Sequence, residues 1–139
     1  MNDHEKFEAL KQGLIAENEQ QYGEELRSLY GEENVRQSEQ KLMGLTREAY
    51  DAMKALEEEI LNRVQQAVTA GEDSAGETGA ALARLHQQWL SYTWPQYSRQ
   101  AHVGLVQLYT QDERFTAYYD RKVPGCAAFL RDAVTAAFR

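Results

Sequence analysis

The 139-residue chain has one cysteine, two prolines and no long apolar run. Each scarcity excludes something. Cys126 alone cannot close an internal disulfide, so a reducing, cytoplasmic setting is expected. No stretch approaches the roughly 20 apolar residues that a membrane-spanning helix needs. The opening Met1-Asn2-Asp3-His4-Glu5 lacks the basic and apolar regions of a signal peptide. Basic charge is also short: 15 Lys and Arg stand against 22 Asp and Glu, a net charge of −7. Phosphate contacts need a basic footprint, so neither direct nucleic-acid contact nor docking on an anionic membrane is expected. No β-branched run alternates with polar residues, which removes the strand signature. His4, His86 and His102 do not fall at i, i+3 or i+4 of one another, so zinc spacing is missing. Phosphate loop, nucleophile elbow and dinucleotide fingerprint are missing too. No catalytic residue, metal or cofactor is therefore expected.

What is present is helical periodicity. Residues 1–44 are polar and acidic, and much of the negative excess lies there. Their apolar positions make two short stripes, Phe7-Leu10-Leu14 and Tyr22-Leu26-Leu29-Tyr30, interrupted by Gly13, Gly23 and Gly31. Such stripes bury too little surface to offset their ordering entropy, so a mobile arm is expected. From Thr46, an expected N-cap, a strong helix carries Tyr50, Met53, Leu56 (or Glu57), Ile60, Leu61, Val64 and Val68 to a stop at Gly71. A second runs from about Glu77 to Trp94 on a stripe of Leu82, Leu85, Trp89 and Tyr92 or Thr93, with His86 and Leu90 flanking it. Pro95 closes it or opens the next, whose face is Tyr97, Ala101, Gly104, Leu105 and Leu108. Asp112 caps a short helix with Phe115, Tyr118 and Tyr119. A last helix from Pro124 turns Ala127, Ala128, Leu130, Ala133, Val134 and Ala137 inward. The expectation is an all-α bundle or globin-like cluster of four to five core helices over 45–139, preceded by a loosely ordered arm over 1–44 within the same domain.

His86 and His102 fall near apolar stripes and are expected as hydrogen-bonded, partly buried histidines. Cys126, among Ala127, Ala128 and Phe129, is expected as a small buried residue rather than a reactive thiol. The most informative feature is Trp89, Tyr92, Trp94 and Tyr97 within nine residues. Trp89 suits the core. The set as a whole exceeds what one helix junction needs, and such rings suit a flat, partly polar ligand.

Several segments occur in a telling order: Tyr22-Gly-Glu-Glu-Leu-Arg-Ser-Leu-Tyr-Gly31, Arg36-Gln37-Ser38, Thr46-Arg-Glu-Ala-Tyr50, Tyr109-Thr-Gln-Asp112-Glu113-Arg114-Phe115 and Pro124-Gly-Cys-Ala-Ala-Phe-Leu-Arg131-Asp132-Ala133. From about residue 20 to residue 137 the chain resembles the TipA-type antibiotic-recognition domain, the effector-binding part of certain MerR-like transcriptional activators. The resemblance implies an all-helical, globin-like fold with a deep cleft, apolar drugs such as thiopeptide antibiotics as ligands, and an arm that closes over them. His86 and His102 match family histidines. Trp94-Pro95-Gln96 stands where the family commonly has His-Tyr-Asp, which implies a more aromatic ligand set. Tyr97 and Gly104 occupy the helix positions of a ligand-capturing cysteine, so the expected binding is reversible.

The expected ligand contacts are His86, Trp89, Trp94, Tyr97 and Ala101, with Met53 opposite and Tyr22, Leu26 and Tyr30 as the lid. The protein would serve as the drug-sensing domain of a regulator or as a stand-alone sequestering protein. A homodimer is expected only if an upstream DNA-binding and coiled-coil region is fused to it. The competing reading is a protein-interaction module whose acidic arm folds on a partner.

Overall fold

The computed structural model describes residues 1–139, as seven α-helices and no strand. They are α1 (Asp3–Tyr30), α2 (Glu32–Met43), α3 (Arg47–Thr69), α4 (Glu77–Leu90), α5 (Arg99–Gln111), α6 (Glu113–Tyr119) and α7 (Cys126–Phe138). The chain forms two compact units, Met1–Met53 with Ser91–Gln96, and Lys54–Leu90 with Tyr97–Arg139.

In the first unit, α1 and α2 pack together. Asn2 caps α1 by accepting from the Glu5 N–H at 2.8 Å, with Asp3 and Glu5 at the positive end of the dipole. Of the three glycines expected to interrupt this region, only Gly31 does, at φ 85°. Gly13 and Gly23 lie inside α1. Gly23 has a local reason: Glu19 and Arg27 pair across it, and a Cβ there would meet the Glu19 carboxylate at 2.6 Å. The expected stripes are narrower than the spacing implied. Leu10 and Leu29 are 45% and 53% exposed, whereas Lys11 is only 2% exposed. Its ammonium donates to the Met43 and Leu45 carbonyls at 2.5 and 3.1 Å, pairs with Glu8 at 3.0 Å and lies 4.2 Å above the Phe7 ring. A cation at those carbonyls satisfies the negative end of α2. Phe7 also meets Tyr50 edge-on, with centroids 5.6 Å apart. Thr46 caps α3 as expected, accepting from the Ala49 N–H at 3.1 Å.

In the second unit, α7 packs against α4, α5 and α6, and α5 against α6. Leu56, Ile60, Leu61, Val64 and Ala67 form the buried face of α3. That helix ends where expected. Gly71 takes φ 69°, its N–H bonds Val68 O at 3.1 Å, and the Glu72 N–H reaches Ala67 O at 2.9 Å, a Schellman closure. Three expected faces are rotated. On α4 the buried line is Gly79, Leu82, Ala83, His86 and Leu90, while Trp89 is half-buried and the helix stops before Trp94. On α5 it is His102, Leu105, Val106 and Tyr109, with Gly104 exposed and Tyr97 outside the helix. On α7 Phe129 is buried and Ala137 exposed. On α4 and α5 the cause is the same: a histidine holds the centre of the face, and counting it as polar shifts the stripe. Asp112 caps α6, accepting from the Arg114 N–H at 2.9 Å. The first turn of α7, whose N-cap Gly125 has no side chain, is capped by Asp120, which accepts from the Ala127 N–H at 2.8 Å.

Candidate functional site

The second unit carries a continuous buried polar chain. Within α5, His102 and Tyr109 are seven residues apart and share the inner face. His86 stands at the centre of the α4 face. Ser98 caps α5, accepting from the Ala101 N–H at 3.0 Å, which places Tyr97 just before the helix and His102 one turn in. These are the positions of a hydrophobic staple, occupied here by a hydrogen-bonded pair. The Tyr97 hydroxyl is 2.8 Å from His102 Nδ1, His102 Nε2 is 2.7 Å from His86 Nδ1, and His86 Nε2 is 3.0 Å from the Tyr109 hydroxyl. Tyr109 in turn stacks on Tyr119 at 4.4 Å and shares a side-chain hydrogen bond with it. The imidazole planes differ by 12° with centroids 4.9 Å apart. That separation is one hydrogen bond plus two ring radii, so the rings meet edge to edge and not face to face.

Burial dominates the electrostatics. His86, His102 and Tyr109 are at most 1% exposed. Desolvation, and secondarily His102, pushes His86 down to about 3, and desolvation pushes His102 down to about 4. Both rings are therefore neutral at physiological pH. The expected partly buried histidines are fully buried and bonded directly to each other. Tyr109 was missed by sequence reasoning; its spacing from His102 on one face was the available signal.

The other expected contacts lie around this chain or in the first unit. Trp89, half-buried on α4, is 5.5 Å from the His86 ring. Ala101 is half-buried in the first turn of α5. His86 is buried, and Tyr97 is the half-exposed end of its hydrogen-bonded chain. In the first unit, Trp94 occupies the turn after α4 and packs on Tyr30 at 5.8 Å. Lys41 holds that turn, donating to the Ser91 and Trp94 carbonyls at 2.7 and 3.0 Å. Burial pushes the Tyr30 hydroxyl up to about 12. Tyr22 and Leu26 are half-buried on α1, and Met53 is buried on α3. A shallow hollow of about 520 Å³ at Leu108 and Gln111 to Arg114 contains none of these residues. Cys126 is buried, as expected, and burial raises its thiol, with Asp120 adding to the effect. No three His, Cys, Asp or Glu side chains converge to hold a metal ion. No helix is long and apolar enough to cross a membrane.

The TipAS antibiotic-recognition domain matches residues 22–137. The HTH-type transcriptional activator TipA of Streptomyces coelicolor is 32% identical over 117 residues, covering 84% of this chain and 46% of that protein. The HTH-type transcriptional activator mta of Bacillus subtilis is 30% identical over 134 residues, covering 96% of this chain and 51% of that protein. The chain thus spans about half the length of the curated relatives it matches. Among solved structures, nosiheptide in complex with TipAS from Streptomyces lividans superposes with a TM-score of 0.71 at 32% identity, covering 86% of this chain and 84% of that one. The chain belongs to the TipAS antibiotic-recognition domain family.

Proposed function

We propose that this domain binds antibiotics of the thiopeptide type, or other apolar aromatic drugs, and serves as the effector-sensing part of a transcriptional activator rather than as an enzyme. The observation that carries the reading is the likeness to nosiheptide-bound TipAS, which extends over 86% of the chain. Large rings with polar handles support it: Trp89, Trp94 and Tyr97 are all half-buried, which leaves ring surface for a ligand. Ala101, half-buried in the first turn of α5, and Met53 supply a small and an adaptable apolar contact. His86 acts from behind, through His102 and Tyr97. Residues 1–44 act as a lid within the same domain, with Tyr22, Leu26 and Tyr30 as its contacts. Ordering them on binding takes up part of the gross interaction energy. Binding is reversible, since the one thiol, Cys126, is buried and held protonated.

Titration with nosiheptide followed by tryptophan fluorescence tests this. The expected outcome is a saturable change with a rise in melting temperature, both weakened in a Trp94→Ala, Tyr97→Ala double variant and by deletion of residues 1–44. Unchanged fluorescence and an unchanged melting temperature across a broad antibiotic panel would overturn it.

A further inference from the structure

Tyr97, His102, His86 and Tyr109 are joined by three links, each drawn between two atoms that can both give and accept a proton. A neutral imidazole has one N–H and one bare nitrogen, so each link can hold only one proton and the links must all point the same way. Two arrangements satisfy this. In one, the Tyr97 hydroxyl donates to His102 Nδ1, His102 Nε2–H donates to His86 Nδ1, and His86 Nε2–H donates to the Tyr109 oxygen. In the other, Tyr109 donates to His86 Nε2, His86 Nδ1–H donates to His102 Nε2, and His102 Nδ1–H donates to the Tyr97 oxygen. Both hold the same number of protons. They differ in which nitrogen carries hydrogen and in where each hydroxyl points. A mixed arrangement leaves one buried link with two protons or none, and a buried polar atom without its partner is disfavoured.

We propose that His102, His86 and Tyr109 are positioning residues that decide whether Tyr97 meets a ligand as a hydrogen-bond donor or as an acceptor. This rests on the reading of Tyr97 as a ligand contact. In the first arrangement the Tyr97 proton is committed inward, and its oxygen suits a ligand N–H or O–H. In the second, the His102 N–H fills one lone pair of that oxygen, and the hydroxyl proton suits a ligand carbonyl or azole nitrogen. The ligand class selected is therefore one with a single strong donor or acceptor beside an aromatic face, and binding it biases a proton pattern that runs through Tyr109 to Tyr119.

The test is nuclear magnetic resonance of the full chain labelled with nitrogen-15, reading the ring nitrogens of His86 and His102. The same tautomer on both rings is expected. In Tyr97→Phe, a change at a half-exposed position, the tautomer balance at His86 should move along with that at His102. Tyr109→Phe should reach His102 from the other end. Opposite tautomers in the wild-type protein, or a Tyr97→Phe response confined to His102, would overturn the proposal. With nosiheptide as probe, each tyrosine variant should weaken binding by about five- to tenfold, the worth of one hydrogen bond. The double variant should be no weaker than either single one, and additive losses count against the relay. If the wild type does not bind nosiheptide, the antibiotic reading fails for that compound, and the spectra of the free protein still decide the relay.

Discussion

Lys11 shows how much one side chain can organise. Its ammonium is buried and lies against two carbonyls that close α2 and lead into α3, with Glu8 as its counter-charge. Hydrogen bonds to a charged group contribute about 1.5–3 kcal/mol, and leaving their partners unpaired removes more. Lys11→Met keeps most of the volume and deletes the donors. It should lower unfolding stability by about 2–3 kcal/mol, read as a lower urea midpoint with an unchanged slope; an unchanged midpoint would show that water replaces the ammonium. Lys11 was not legible in the sequence. A lysine between Leu10 and Leu14 reads as the solvated side of a stripe, because only the folded turn at 43–45 supplies the carbonyls that make its burial favourable. The same blindness hid the buried pair, since each histidine looks polar until the other is in place. Cys126 was legible because its neighbours are small and apolar.

At the level of elements, the punctuation was easy to read and the orientation was not. Thr46, Gly71 and Asp112 mark helix ends in the sequence and do so in the structure, because a cap depends on chemistry within four residues. Which side of α4 faces inward depends on distant partners, and there the expected stripe was wrong by about one residue. Gly79 belongs to this category. A Cβ on it would lie 1.7 Å from the Ser74 carbonyl oxygen, so the loop before α4 closes only over a bare Cα. Gly79→Ala should therefore reverse the usual helical gain of alanine. A loss of about 1–3 kcal/mol is expected from overpacking, measured by thermal melting. A stabilised protein would show that the 71–76 loop moves at little expense. Arg27 acts across an element boundary, pairing with Glu19 behind it and with Glu32 beyond Gly31.

For the whole molecule, the two buried imidazoles set the acid limit of stability. Their folded values, about 3 and about 4, lie below the ordinary 6.5, so the unfolded chain binds more protons at intermediate pH. Stability is then full above about pH 6.5 and is lost as pH falls toward 4, at about 1.4 kcal/mol per pH unit for each histidine. By pH 5 the loss is about 2 kcal/mol per ring. Urea midpoints at pH 7 and pH 5 measure it, and equal midpoints would contradict neutral burial. The family was legible over most of the chain, matching residues 22–137, and the helical class with it, because helical period and ordered motifs are spread over many residues. The site was legible only as a list of rings, because what joins them is a set of bonds between helices. That joining constrains how the sequence can change. Replacing one of the four relay residues by an apolar look-alike strands its neighbour, whereas replacing all four together with Tyr119, which bonds Tyr109, removes donors and acceptors alike. A combinatorial library at 86, 97, 102, 109 and 119 should return intact sets and wholly apolar sets, with the mixtures depleted, so these positions change as one unit of inheritance.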